Sequence, residues 1–188
     1  MKLINLKQGT KPWLDWRCKM ITASDGPIIM QMSPFKTPDQ LMNEKVKRFA
    51  TVANHWMERG IFLEPIALRE FEKETGLIMF PCVGEHENGW MGASFDGMTI
   101  EGDAIVEIKC PGKKDHFAAL NGIIVDKYKA QLHHQMYVSG VQFMFYYSFD
   151  GEKGVIVEVK RDNDFIEIML EKEFEFWQRL QNLTEVKI

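Results

Sequence analysis

A mixed α/β fold, a small mixed central β-sheet flanked by α-helices, is what this sequence predicts, and three observations carry it. Segments with apolar residues at helical spacing and clear start signals lie in the first and last thirds of the chain. Between Leu77 and Cys110 the pattern changes to short β-prone runs parted by Gly, Asn and Asp. The chain has 188 residues, 45% of them hydrophobic, enough to bury one substantial core. With no repeat, low-complexity tract or Ser/Gly-rich linker, a single domain over residues 1–188 is expected.

The elements follow in order. Arg17 is placed on a helix beside Trp13 and Trp16. In "TPDQLMNEKVKRFA", Thr37 is the N-cap, Pro38 the first helical residue and Gln40 the partner of a capping box. A further helix runs through "PIALREFEKETG", with Gly76 suited to its C-terminal cap and Glu64 at its start or at a kink. "LIMFPCV", "WMGASFDGMTI" and "AIVEIKC" read as an antiparallel meander, with Asp96 beside a Gly turn. "DKYKAQLHHQMYVSG" is helical. "VQFMFYYSFD" and "KGVIVEVKR" are paired strands joined by "DGEKG", and "NDFIEIMLEKEFEFWQRLQNL" is a long amphipathic helix.

Composition narrows the function classes. Cys18, Cys82 and Cys110 form no CxxC pair, which argues against a disulfide framework and against a zinc or iron–sulfur set. No apolar run approaches membrane-spanning length, and "MKLINLKQGTKPW" lacks the apolar core of a signal peptide, so a cytoplasmic protein without a membrane partner is expected. The net charge of −4 does not exclude a nucleic-acid partner, because local fields decide binding and basic residues recur from Lys7 to Arg48.

The chemistry concentrates in "SFDGMTIEGDAIVEIKCPGKK". Strand alternation puts Ile105, Glu107 and Lys109 on one face and Ala104, Val106, Ile108 and Cys110 on the other. Glu107 and Lys109 then lie roughly 6–7 Å apart along the strand, and Asp96 can face the same cleft across the ladder. Two carboxylates beside an ammonium suit Mg²⁺ or Mn²⁺ better than zinc. Taken alone, an acid followed two residues later by lysine is also an ordinary solvent-facing strand pattern.

Four motifs in order settle the choice, because together they resemble the YqaJ-like viral recombinases, the family of the phage lambda exonuclease, within the PD-(D/E)xK nuclease superfamily. "QGTKPWLDWRCKMITASD" resembles the family's opening motif, which implies that Arg17 and Ser24 grip a phosphate. "MERGIFLEPIALREFEKETG" is similar to the helix whose glutamate reaches the metal, here Glu64. "SFDG" and "VEIKCP" match the core motif, giving Asp96, Glu107 and Lys109, with Phe95 standing where the superfamily has proline. "YKAQLHHQMYVSG" matches the helix whose glutamine completes the site, here Gln131.

The resemblance implies a restriction-endonuclease-like core. It implies one or two Mg²⁺ ions, with Mn²⁺ able to substitute, held by Glu64, Asp96, Glu107 and the Ile108 carbonyl. It implies a 5′-to-3′ exonuclease that acts on double-stranded DNA ends as a trimeric ring, with a single-strand annealing recombinase as partner. Lys36, near the tip of "QMSPFKTPDQ", is the expected duplex contact. His133 and His134 receive no role. An end-independent endonuclease of the same superfamily and a catalytically silent DNA-end binding module are the alternatives.

Overall fold

The computed structural model describes residues 1–48 and 55–185. Its centre is one mixed sheet with the strand order β1 (Lys2–Ile4), β3 (Phe80–Glu85), β4 (Met91–Met98), β5 (Ile105–Lys109), β6 (Phe143–Phe149) and β7 (Gly154–Lys160). The two-residue β2 (Ile21–Thr22) runs parallel to β4. The β3–β4–β5 meander is antiparallel as the turn signals predict. β5 and β6 are parallel, with Glu107 level with Tyr146 and Lys109 level with Ser148. A parallel neighbour needs a crossover, and α5 (Lys113–Leu120) and α6 (Asp126–Ser139) supply it.

The predicted alternation of β5 holds, with apolar residues taking up both faces. Ile105 joins a core with Phe95 and with Leu132 and Met136 of α6. Ala104, Val106 and Ile108 join another with Ala67 and Phe71 of α4 (His55–Thr75). Strands covered by helices on both sides are expected to be apolar almost throughout, so a fully buried polar side chain on β5 needs a specific reason. Glu107 is that side chain, 2% exposed.

Several local expectations are met. Thr37 and Gln40 form a reciprocal capping box on α3 (Pro38–Lys47), and Gly76, left-handed just past α4, donates its N–H to the Glu72 carbonyl at 2.8 Å. Arg48 turns left-handed and ends α3, while the last two residues of the helix expected there, 49 and 50, lie outside the described residues. The long helix α7 (Asn163–Glu185) packs Phe176 and Leu180 against Leu41 and Met42 of α3.

Two expectations are corrected. Glu64 is not at a helix start: α4 runs through Pro65, which stands inside it one residue beyond Glu64. An interior proline loses one hydrogen bond and crowds the carbonyl four residues earlier; α4 nevertheless continues past it and buries Ala67 and Phe71. Asp96 is not beside a turn either, because Gly97 lies within β4. A Cβ on Gly97 would come within 2.8 Å of both Met79 and Val106, so close packing explains this glycine.

Candidate active site

Glu107 is held by three donors. Lys109 donates from two residues along the same strand to Oε1. Gln131 of α6 donates to the same oxygen at 2.5 Å. Gln135, one helical turn further on, donates to Oε2 at 2.5 Å and to the Ser94 carbonyl at 3.1 Å. A carboxylate among apolar neighbours survives burial only when its lone pairs are met in this way.

Asp96 and Glu64 complete the acidic group from two further elements. The Asp96 Oδ2 accepts the Ile108 backbone N–H at 2.8 Å, which ties β4 to β5 at the level of the site. Burial and the negative charges of Glu107 and Glu64 push the Asp96 carboxyl well above the usual range, partly offset by Lys109 and the Ile108 amide. Glu64, half-buried on α4, is raised for the same two reasons, burial and Glu107. For Lys109, burial opposes the charge, but Glu107 and Asp96 outweigh it and hold the ammonium above the ordinary lysine value. In the metal-free protein, therefore, Lys109 is a cation and not a base.

The residues expected at the phosphate grip also meet. Arg17, near the end of α1 (Lys11–Lys19), donates to Ser24 Oγ at 2.5 Å and stacks 4.5 Å from the Trp13 ring centre. Trp13 donates its indole N–H to Ser94 Oγ at 2.8 Å, two residues before Asp96, so the grip is anchored to the strand that carries Asp96. Ser24 is not a helix cap: the four-residue α2 (Gly26–Ile29) starts from Asp25. The grip therefore rests on side chains rather than on a helix terminus.

Asp25 instead serves the scaffold. It accepts the Thr22 N–H and hydroxyl at 2.8 Å each and pairs with Lys45 at 2.7 Å, both side chains being buried. Lys45 in turn donates to the Arg17 and Met20 carbonyls at 2.8 Å. Burial works against the Asp25 charge, yet Lys45 and Arg17 hold its carboxyl below the usual range. Lys36 does not join either cluster through any contact described; it pairs with Glu44 at 2.5 Å and is largely covered.

Sequence reasoning missed Gln135, Trp13 and Ser94. The signal for Gln135 was present: it stands four residues after Gln131, on the same helical face. Nothing local marks Trp13 or Ser94, since their bond spans 81 positions.

The donor set fits a hard divalent cation by its chemistry, being three carboxylates with a carbonyl and no thiolate or imidazole. Among the described residues no group of three acidic, histidine or cysteine side chains is arranged so that it could hold a metal ion. Glu107 turns toward Lys109 and the two amides, and Asp96 toward the Ile108 amide. Burial first, and then mutual repulsion, raises the Asp96 and Glu64 carboxyls, and a cation would relieve the repulsion.

The fold and this acidic site define a class, that of exonuclease-like α/β domains. The alkaline exonuclease LHK-Exo from Laribacter hongkongensis matches with a TM-score of 0.81 at 26% identity, over 94% of this chain and 95% of that one. Its structure in complex with dAMP gives 0.82 at 25% identity, over the same shares. A phage-related exonuclease from Haemophilus somnus 129PT shares the fold, with a TM-score of 0.68 at 15% identity over 90% of this chain and 96% of that one. The chain belongs to the YqaJ-like viral recombinase domain family, whose model matches residues 12–142. The Bacillus subtilis (strain 168) protein YqaJ is 29% identical over 182 residues, covering 92% of this chain, which spans 57% of that relative's length.

Proposed function

We propose that this protein is a Mg²⁺-dependent exonuclease that digests one strand of double-stranded DNA from its 5′ end, leaving 3′ single-stranded tails for recombination by strand annealing. The observation that carries the reading is the junction at β4. Ser94 is bonded to the Trp13 that stacks on Arg17, and Asp96, two residues on, sits with Glu107, Glu64 and Lys109. A phosphate grip beside a hydrolytic centre suits an enzyme that works from a terminus. The exonuclease relatives of the same fold support it.

In this mechanism Glu64, Asp96, Glu107 and the Ile108 carbonyl would hold one or two Mg²⁺ ions, with Mn²⁺ able to take their place. The bound metal supplies Lewis acidity, lowering the pKa of its water and neutralising charge on the scissile phosphate. Lys109, an ammonium while Glu107 and Asp96 hold it, orients the attacking water or the phosphate. Gln131 and Gln135 fix the Glu107 carboxylate, and Arg17 with Ser24 binds the terminal 5′-phosphate. Lys36 contributes to duplex binding only if its pairing with Glu44 gives way. A trimeric ring round the duplex and a single-strand annealing recombinase as partner complete the proposal. The mass of the protein in solution tests the ring, and co-purification with an annealing protein tests the partner.

The decisive assay offers the protein and Mg²⁺ linear duplexes with 5′-phosphate or 5′-hydroxyl ends beside covalently closed circles. Digestion of the linear 5′-phosphorylated duplex with the circles intact is expected; cutting of circles would turn the reading to an endonuclease. Glu107→Ala and Lys109→Ala should each lower the rate on linear duplex by about 1000-fold, as loss of an electrostatic catalytic group does. DNA-end binding with no hydrolysis by the unaltered protein would leave only the silent binding module.

A further inference from the structure

His134 and Glu173 lie outside the acidic site, and both are wholly buried. His134 Nδ1 faces both carboxylate oxygens of Glu173, at 2.9 and 3.0 Å, and Nε2 donates to the Gly92 carbonyl at 3.0 Å. Burial alone would strip the imidazole of its charge, but Glu173 and the two hydrogen bonds keep His134 above the ordinary histidine value. A buried pair of this kind often stabilises a fold no better than two well-packed apolar residues would. Its position suggests another reason for it.

The pair stands where four elements cross. His134 is on α6, three residues after Gln131 and one before Gln135. Gly92 is on β4, which carries Ser94 and Asp96. Glu173 belongs to α7, and Gly26 of α2 rests on it: a Cβ at Gly26 would lie 3.0 Å from Glu173 Oε1 and 3.3 Å from the Ala130 carbonyl. Gly26 is two residues from Ser24 of the phosphate grip, and Ala130 immediately precedes Gln131. The segment bearing the grip and the helix bearing both glutamines therefore meet against this buried pair.

We infer that the His134–Glu173 pair, with Gly26 seated against it, is a joint that sets α6 over Glu107 and ties the phosphate grip to the metal-binding centre. His134 and Glu173 are then positioning residues, touching neither substrate nor metal. Pinned at Gly92 on one side and at Glu173 on the other, α6 has little freedom to slide along β4, so Gln131 and Gln135 reach Glu107 at fixed points. The tie to the grip rests on the function proposed above; the setting of α6 over Glu107 does not.

The test is the double variant His134→Leu/Glu173→Leu beside each single change, read by thermal midpoint, Mn²⁺ titration calorimetry without DNA, and the kcat/KM ratio on 5′-phosphoryl against 5′-hydroxyl duplex ends. Each single change strands one buried charge and should lower the midpoint, whereas the double variant recovers it. Despite that recovery, the double variant should bind Mn²⁺ at least tenfold more weakly, and its end ratio should fall toward one. Mn²⁺ affinity within twofold of the unaltered protein, with the midpoint recovered, overturns the joint.

Gly26→Ala leaves both charges in place and should lower the end ratio at least threefold; an unchanged ratio would overturn the tie between grip and metal centre, and this arm stands even if the double variant does not fold. An unaltered protein that ignores the 5′-phosphate would sink the grip reading and the tie with it. The Mn²⁺ measurement would then decide the setting of α6 alone.

Discussion

Glu107 is a demanding residue, a carboxylate 2% exposed that needs donors for its lone pairs. Gln135 covers Oε2 and has its own Oε1 buried without a partner among the described residues. A side chain that leaves one of its own acceptors unmet in order to hold a carboxylate is positioned for that carboxylate. Gln135→Leu should therefore weaken Mn²⁺ binding by about 10- to 100-fold, the usual penalty for losing a partner behind a metal ligand. Calorimetry measures it, and an affinity equal to the unaltered protein's would remove Gln135 from the site. Strand alternation put Glu107 and Lys109 on one face, but only the resemblance of four motifs in order marked them, with Asp96 of the neighbouring strand, as a site. Gln135 was overlooked because two histidines stand between it and Gln131, and only the helical period puts the amides together.

Among elements, the strands were read from the period of two, and the capped helices from their termini. The failures share a cause. β1 and β2 have three and two residues, too few for any period to show, and they exist because β3 and β4 offer open edges to pair with. Pro65 and Gly97 were taken as punctuation, yet both stand inside regular elements, Gly97 because of what packs on it. Gly97 gives the clearest check at this scale. Gly97→Ala would drive a Cβ into Met79 and Val106 and should cost about 1–3 kcal/mol, the usual range for overpacking. Denaturant unfolding reads the loss, and a stabilised variant would show that β4 can move away from α4.

At the scale of the whole molecule, the acidic site costs stability that, on the proposed function, a bound metal would restore. A carboxyl whose pKa is higher in the folded chain than in the unfolded one binds extra protons in the folded state between those two values. Stability contributed by that group falls as pH rises through the interval. For Asp96 the interval opens at the ordinary value, 3.8, and extends upward. In chelator, the stability of the unaltered protein relative to Asp96→Asn should therefore decline from about pH 4 toward neutrality. Added Mg²⁺ should reverse the decline, because binding then draws on the deprotonated carboxylate. A difference that stays flat with pH in chelator would mean that Asp96 is not strained by its neighbours.

The hydrogen bond from the Ile108 amide to Asp96 has a practical consequence. A backbone amide proton aimed at a carboxylate takes its resonance position from that group's charge, so one crosspeak in a nitrogen–proton correlation spectrum can act as a meter for the site. Followed through a pH titration, it would trace the ionisation of Asp96 directly. Followed through a Mg²⁺ titration, it would register the ion's arrival with no DNA in the tube, and would separate occupancy from turnover.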